Sequence, residues 1–583
     1  MPRKTKIICT LGPATNTEEK IRELILSGMD VARLNFSHGS HESHLECYRM
    51  VRKVSGELGM PVGILLDTKG PEIRLGTFRG GKALLQRGQS FTLTTRETEG
   101  DETIVSVSYA GLPGDVRPEG RILLDDGLIE LRVAQKTETD ILCTVVNGGP
   151  ISDRKGVNLP GASLSMPYIS QKDYEDILFG IETGFDFIAA SFVRDARDVL
   201  EIRKILEAQS CHSIKLISKI ENSQGVENID EILRVSDGIM IARGDMGVEI
   251  PLEEVPVLQK MLTEKVYSSG KLVITATQML DSMMKNPRPT RAEATDVANA
   301  IYEGTSAIML SGETAAGAYP IESVKTMSTI ARRTEQDIDY RGRFQLFPGG
   351  ERLSDVTNAI SHATCTTALD LGAAAIITVT KSGQTAREIS KFRPDIPIVG
   401  CTCEEKTYYQ LALSWGVTPL MIEEKETTDE LFEHAVEKAV EAGLIASGDL
   451  VVITAGVPLG ISGTTNLLKV HMVGNILVSG VGVNQGNAVG RLCVAKDAAE
   501  AGEKFQPGSI LVVPYTDNSY MELLRKASGI VTEQEGANSH AAVAGMALDI
   551  PVIVGAVGAT RILKNGVTVQ IDSSRGTVCK AGQ

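Results

Sequence analysis

Lys219 and Glu221 stand two residues apart at the end of an apolar run, LISKIEN (216–222). In an extended strand residues i and i+2 point to the same side, so the two charges share one space. Asp245 follows in ARGDMG (242–247), and Arg33 and Asp67 close other apolar runs. Charges at the ends of buried strands are expensive unless something there requires them. Glu221 and Asp245 supply only oxygens, with no His or Cys among them. Two carboxylates with open positions suit Mg²⁺ or Mn²⁺, which keep waters and take substrate oxygens. Lys219, Arg33 and Arg74 add cations. Metal, lysine and arginine together suit a phosphoryl group in transfer, whose charge lies on its equatorial oxygens. Asn35, Ser37, Asp67 and Thr68 form a second oxygen set with one formal charge, which suits a monovalent cation. The bland reading of Lys219 and Glu221 is a salt bridge that closes the fold, but desolvation can cancel the attraction of such a pair.

These residues must be positioned by strands. Short apolar runs recur as TKIICTLGP (5–13), DVARLNFSH (30–38), VGILLDTKG (62–70), FDFIAASFV (185–193), KLISKIE (215–221), GIMIARGDMG (238–247), LVITATQML (272–280) and AIMLSGETA (307–315). Helical periodicity lies between most of them, as in EEKIRELILSG and QKDYEDILFGIETG. Eight β-then-α units predict an α/β fold built on a (β/α)8 barrel over 1–70 and 167–340. Each strand concentrates polar residues at its C-terminal end. They are Arg33, Asn35, Ser37 and His38; Asp67, Thr68 and Lys69, with Glu72 and Arg74 beyond; Lys219 and Glu221; Arg243, Gly244 and Asp245; Thr275, Thr277 and Gln278; Ser311 and Glu313. A barrel forms its active site at that rim. In GDMG the glycines allow close backbone approach to an anion, and the segment after them could present a helix N-terminus.

One gap breaks the rhythm. Residues 71–166, rich in Gly, Thr and Val with alternating patterns, read as an inserted β domain placed as a lid on the active-site face. RGRFQLFPGG (341–350) reads as a linker. Residues 351–473 alternate strands and helices, a separate α/β domain, and 474–583 read as a fourth, mixed β/α domain. A chain of 583 residues needs several cores. Its net charge of −15 argues against nucleic acid or an anionic membrane as partner. Nine scattered cysteines without metal-ligand spacing predict reduced thiols in a cytoplasmic protein. The N-terminal apolar stretch is too short for a signal peptide, and no run approaches the roughly 20 apolar residues of a membrane helix.

The motifs TKIICTLGPAT, ARLNFSHG, LLDTKGPEIR, KGVNLPG, ISKIEN, ARGDMGVEI, TATQMLDSM with PRPTRAEATDVANA, and AIMLSGETAAGAYP occur in an order that resembles the pyruvate kinase family over about 1–473. The resemblance implies phosphoryl transfer from phosphoenolpyruvate to ADP, giving pyruvate and ATP in glycolysis. It implies that Arg33 holds the phosphoryl group and Lys219 stabilises it in transfer. Glu221 and Asp245 would bind Mg²⁺ or Mn²⁺. Backbone N–H groups at Gly244 and Asp245, with the Thr277 hydroxyl, would hold the substrate carboxylate. Asn35, Ser37, Asp67 and Thr68 match K⁺ ligands, and Asn35, His38 and Arg74 the nucleotide side. Protonation of the enolate would come from water near Thr277 through Ser311 and Glu313. Glu72 matches members of the family that depend on K⁺, whereas Lys stands there in those that do not. Homotetramers are the family's habit.

TKSGQT, with Thr380, Lys381, Ser382, Gly383, Gln384 and Thr385, has the composition of a phosphate cradle. In the family this loop binds a phosphorylated allosteric effector under a second loop, here 456–465. Gln384 and Thr385 stand where Arg and Ser are common in fructose-bisphosphate-activated members, which favours AMP or a sugar monophosphate. EGANSHAAVAGMALDIPVIVG (535–555) resembles the mobile phosphohistidine domain of phosphoenolpyruvate synthase and pyruvate phosphate dikinase. His540 matches the phosphorylated histidine, but Glu535-Gly536 replaces the usual double glycine, and a structural or regulatory role is expected. Two other readings remain: a related metal-dependent barrel that makes or breaks carbon–carbon bonds of pyruvate, and a non-catalytic phosphate sensor. The first would not need Arg33, Lys219 or the insert. The second would tolerate loss of Lys219 or of a metal carboxylate, and all are intact.

Overall fold

The computed structural model describes residues 3–580 apart from 163, 347–354, 458–464 and 475. Eight strands close a parallel barrel: β1 Lys6–Thr10, β2 Val31–Asn35, β3 Gly63–Asp67, β4 Phe187–Ala190, β5 Lys215–Ile220, β6 Gly238–Ala242, β7 Leu272–Ala276 and β8 Ala307–Leu310. β1 pairs with both β2 and β8, so no edge remains. These are the eight runs expected from the sequence, each trimmed to its apolar core. β-branched and leucine residues buried on both faces make the strands, and capped helices return the chain. The helix Gln171–Thr183 starts at Ser170, whose side chain accepts from Asp173 N–H, and Arg291–Glu303 starts with a Thr290–Glu293 capping box.

The two faces of the strands feed two cores. Ile8, Val31, Leu65, Ile217, Met240, Ile274 and Met309 belong to one buried cluster that draws on all eight strands, the barrel interior. Ile7, Cys9, Leu34, Ile64, Leu66, Ile188 and Ile241 alternate with them and pack against the surrounding helices.

Between β3 and β4 the chain forms a six-stranded and a two-stranded sheet. They have their own core, including Phe91, Leu93, Ile122, Leu131 and Val145. The chain leaves the barrel through Gly70, whose φ of 73° and closeness to Ser191 exclude a side chain. Asp173 ties this exit down by accepting the N–H groups of Lys69 and Gly70, both at 3.1 Å.

The expected linker at 341–350 differs. Tyr340–Leu346 is a helix whose Tyr340 and Phe344 are buried, so its aromatic residues hold a helix face rather than mark a hinge; 347–350 lie outside the described residues. Further on, five strands form one sheet, Ile398–Thr402 and Val417–Met421 pairing in parallel within it. Strands between Ile476 and Lys580 form an eight-stranded mixed sheet. The chain divides into two compact units, Met1–Thr366 with Thr378–Leu431 and Thr454–Leu467, and Thr367–Ile377 with Phe432–Ile453 and Leu468–Gln583. All nine cysteines are free. Among the described residues no helix is long and apolar enough to cross a membrane.

Candidate active site

The interior face of the barrel turns polar at its C-terminal end. Two residues after interior Ile8, Val31, Leu65, Ala189 and Ile217 come Thr10, Arg33, Asp67, Ser191 and Lys219. Strand periodicity alone therefore aims all five at one space. Asp67, 1% exposed, is their hub. It accepts from Arg33 Nε at 2.6 Å and from Lys219 Nζ at 3.1 Å. Arg33 Nη1 also donates to Thr10 Oγ1 at 2.9 Å. Lys219 donates to Ser191 Oγ at 2.8 Å and faces Glu221 Oε1 at 3.0 Å. Glu221 in turn accepts the Phe192 N–H at 2.6 Å. That N–H is aimed by a left-handed backbone, φ 55°, which is rare for a bulky residue.

The charges follow from this geometry. Burial by itself would lower the Lys219 ammonium, but Asp67 and Glu221 outweigh it and hold the lysine protonated. Burial would raise Asp67, but Arg33 and Lys219 keep its carboxyl below the ordinary value. Glu221 goes the other way: burial pushes it up, Lys219 offsets part of that, and Asp245 adds to it. A cation set between Glu221 and Asp245 would remove this penalty. Among the described residues no three His, Cys, Asp or Glu side chains form a complete metal cage. The donor chemistry of Glu221 and Asp245, oxygens alone, fits a hard divalent ion that would complete its shell with water and substrate. Asn35 pairs in register with Asp67, and Thr68 follows it in the chain. The Asn35 side-chain oxygen accepts Ser37 N–H at 3.1 Å, and Thr68 Oγ1 accepts Ser191 N–H at 3.1 Å.

A second group surrounds Thr277. Thr277 and Gln278 have φ of 70° and 53°, strained values of the kind found at working sites. Gly244 N–H donates to Thr277 Oγ1 at 2.7 Å. GDMG lies inside the helix Arg243–Glu249 rather than ahead of it, because the chain turns helical directly after β6. Arg243 donates to the Thr277 carbonyl at 2.8 Å and is fixed by two bonds to Asp296, at 2.6 and 2.7 Å. Buried Glu313 accepts from Ser311 N–H at 2.8 Å and Leu280 N–H at 3.1 Å, joining the loops after β8 and β7. At the rim Arg74 pairs with Glu72 at 2.6 Å, and His38 is exposed.

An open cleft, about 830 Å³ with the solvent at its mouth included, runs beside these groups, between the insert (Glu72, Asp126, Asn158) and the barrel (Phe192, Asp245, Glu249). Burial pushes Glu249 up to about 7, against bonds from Ser223 N–H and the Asn158 side chain, with Asp245 adding to the rise. A carboxyl raised in the folded state contributes stability below its unfolded value, 4.5, and loses it as pH rises through 7. At pH 8 the ionised group costs about 3 kcal/mol by the usual 1.4 kcal/mol per pH unit. Glu249→Gln is therefore expected to melt above the parent at pH 8 and level with it near pH 4. Thermal scans at both values check this; an equal difference at both would contradict it.

Ser191, Thr10, Phe192 N–H, Asp296 and Glu249 are contributors that sequence reasoning misses. Ser191 obeys the strand-end rule that singles out Thr277, but a lone serine at the end of FDFIAASFV carries no charge to mark it. Glu249 carries no sequence signal, since nothing local tells a half-buried glutamate from an exposed one.

Two other predicted sites lie elsewhere. Gly383, φ 77°, opens the helix Gln384–Lys391. Lys381 there faces Glu424 at 3.4 Å and Glu404 at 3.8 Å, and Thr385 bonds Thr465 at 2.9 Å. Most of the partner loop 456–465 lies outside the described residues. His540 begins the helix His540–Leu548 behind its Ser539 cap, with Nδ1 3.0 Å from Thr516 Oγ1.

Known proteins resemble this chain in sequence and fold. The family model described as "Pyruvate kinase, barrel domain" matches residues 2–324, "Pyruvate kinase, alpha/beta domain" matches 358–471, and "PEP-utilising enzyme, mobile domain" matches 505–576. The pyruvate kinase of Geobacillus stearothermophilus is 51% identical over 580 residues, covering 99% of both chains. That of Sporosarcina psychrophila is 50% identical over 578 residues, covering 99% of this chain and 98% of its own. A crystal structure of a pyruvate kinase from Cryptosporidium parvum superposes with a TM-score of 0.77 at 41% identity, covering 81% of this chain and 96% of that one. With its polar barrel rim, its inserted β segment and relatives half identical along its whole length, this chain belongs to the pyruvate kinase family of phosphotransferases.

Proposed function

We propose that the chain transfers the phosphoryl group of phosphoenolpyruvate to ADP, giving pyruvate and ATP. The observation that carries this reading is Lys219, a buried ammonium held charged between Asp67 and Glu221 and joined through Asp67 to Arg33. Arg33 and Lys219 bind the phosphoryl oxygens, and Lys219 offsets the charge that develops as the group moves. Gly244 and Asp245 N–H groups with the Thr277 hydroxyl hold the substrate carboxylate; Arg243 and Asp296 keep the Thr277 backbone in place. The Gly244 N–H is shared with Thr277 Oγ1, so the two would act on the carboxylate as a unit. Glu221 and Asp245 would hold Mg²⁺ or Mn²⁺, which supplies Lewis-acid neutralisation of substrate oxygens when bound. Ser311 and Glu313 lead a proton from water toward the carbon near Thr277. Asn35, Ser37, Asp67 and Thr68 bind K⁺, and Asn35, His38 and Arg74 face the nucleotide. The 71–166 insert acts as the lid. The carbon–carbon lyase and phosphate-sensor readings are not favoured for a member of this family.

Regulation belongs to the same proposal. Residues 380–385 take AMP or a sugar monophosphate, whose phosphoryl group replaces Glu404 and Glu424 as the partner of Lys381. The C-terminal segment 474–583 serves structure or regulation, with His540 a secondary candidate for phosphorylation. The chain works in the cytoplasm as a homotetramer.

The test is pyruvate formation from phosphoenolpyruvate and ADP with Mg²⁺, in K⁺ and then in tetramethylammonium, followed by added ribose 5-phosphate or AMP. Turnover is expected to require ADP and K⁺ and to rise with the effector. Glu72→Lys, which sets an ammonium beside the K⁺ ligands, is expected to recover most of the turnover in tetramethylammonium. Absence of turnover in every condition would overturn the reaction; full turnover of the parent without K⁺ would overturn the reading of Glu72.

A further inference from the structure

The insert rejoins the barrel through residues 164–168, and this return is held at three points. Arg194 Nη1 donates to the carbonyls of Leu164 and Met166, both at 3.1 Å. Asp198 fixes that guanidinium through Nε and Nη2, each at 2.9 Å. Tyr168 is the third point. It is 3% exposed, and its hydroxyl donates to the Ser191 carbonyl at 3.0 Å. Burial, with Asp198, Glu221 and Asp173 adding to it, raises the phenol well above its ordinary value, so the group remains a donor.

The carbonyl that Tyr168 holds belongs to the same peptide unit as the Phe192 N–H. A peptide unit is planar and turns as one body. One end of this plane is therefore fixed by Tyr168, while the other donates to Glu221 Oε2 at 2.6 Å. Phe192 keeps a φ of 55°, which a bulky side chain disfavours, so the plane is held against a local tendency to turn. Gly70 packs against it closely enough that a Cβ there would stand 3.0 Å from the Ser191 carbonyl oxygen. The bond from Ser191 N–H to Thr68 Oγ1, at 3.1 Å, fixes the preceding peptide rather than this one. The other Glu221 oxygen, Oε1, faces the Lys219 ammonium at 3.0 Å. A carboxylate released by Phe192 would turn both oxygens toward that ammonium.

We infer that Tyr168 is a positioning residue for Glu221: it sets the direction of the Phe192 N–H and thereby the orientation in which Glu221 meets a divalent ion. The inference rests on the reading of Glu221 as a metal carboxylate. Groups that hold a ligating side chain from outside typically change metal affinity by roughly ten- to hundredfold when removed. Tyr168 acts in this way across one peptide, and it bonds the Ser191 carbonyl rather than Glu221 itself. The point where the insert returns to the barrel is thus tied to the carboxylate that receives the ion.

Tyr168→Phe removes the hydroxyl and keeps the buried ring, so the packing is retained. Mn²⁺ binding to the full chain without substrate, followed by electron paramagnetic resonance, is expected to weaken roughly tenfold, the low end of that range because the effect passes through a peptide. The Mg²⁺ concentration for half-maximal turnover is expected to rise by the same factor, while kcat at saturating Mg²⁺ stays near the parent's. Tyr48→Phe is the matched control, since the Tyr48 hydroxyl donates to the Gly184 carbonyl at 3.3 Å, ahead of the same strand β4. It is expected to lose melting temperature as Tyr168→Phe does and to bind Mn²⁺ like the parent. Glu221→Gln is expected to weaken Mn²⁺ binding further than either. Parent-like Mn²⁺ binding in Tyr168→Phe, with Glu221→Gln impaired, would leave Glu221 a ligand and overturn the role of Tyr168. Equal weakening in Tyr48→Phe would make the hydroxyl a general structural bond and overturn it too. Unchanged binding in Glu221→Gln would overturn the metal reading and the inference with it.

Discussion

Lys219→Met is expected to lower kcat by roughly three orders of magnitude, the scale of losing a main electrostatic stabiliser of the transition state. Methionine keeps the length of the side chain and removes only the ammonium. The loss reaches three partners at once: Asp67 at 3.1 Å, Ser191 at 2.8 Å and Glu221 at 3.0 Å. Asp67 keeps Arg33, so the barrel still closes. Glu221 is left facing Asp245 without its ammonium, and its carboxyl rises further. Divalent binding should therefore persist and become more dependent on pH, since an ion must displace a proton from Glu221. Steady-state kinetics with Mn²⁺ binding followed by electron paramagnetic resonance checks both halves. A near-normal kcat would remove Lys219 from the mechanism; lost Mn²⁺ binding at pH 8 would show that it holds the metal site together instead.

Asp67→Asn is expected to be the most destabilising single change at the rim. The side chain is isosteric, but it leaves Arg33 and Lys219 buried without their shared carboxylate. Removing one partner of a buried pair costs about 3 to 5 kcal/mol. The effect should depend on pH in a defined way. Because the folded protein holds the Asp67 carboxyl below its ordinary value of 3.8, its stabilisation is present above that pH and is lost as pH falls through the lower folded value. The parent should thus exceed Asp67→Asn in melting temperature at pH 7, and the gap should narrow toward pH 3. Turnover should also fall, because two cations aimed at the phosphoryl group lose their anchor. A variant as stable as the parent at pH 7 would mean that Arg33 and Lys219 find water or other acceptors.

Much of this arrangement is legible in the chain before it folds. The eight strands are recognisable because residues buried on both faces leave short, uniformly apolar runs, and every one of them appears in the barrel. Arg33, Asp67, Lys219 and Glu221 stand out because a charge ending such a run breaks its pattern. The linker reading of 341–350 differs over its first part for a related reason: Gly and Arg suggest a loop locally, while Tyr340–Leu346 is a helix with Tyr340 and Phe344 buried.

The sequence by itself determined the family, the barrel and the polar strand tips, since strand periodicity and motif order are properties of neighbours along the chain. Only the tertiary structure decided that Asp67 would join Arg33 and Lys219, 34 and 152 residues away. It also decided that Ser191 would complete that network and that Glu249 would sit half-buried near Asp245. Barrel closure and strand register bring distant residues together, and burial then sets what each charge costs.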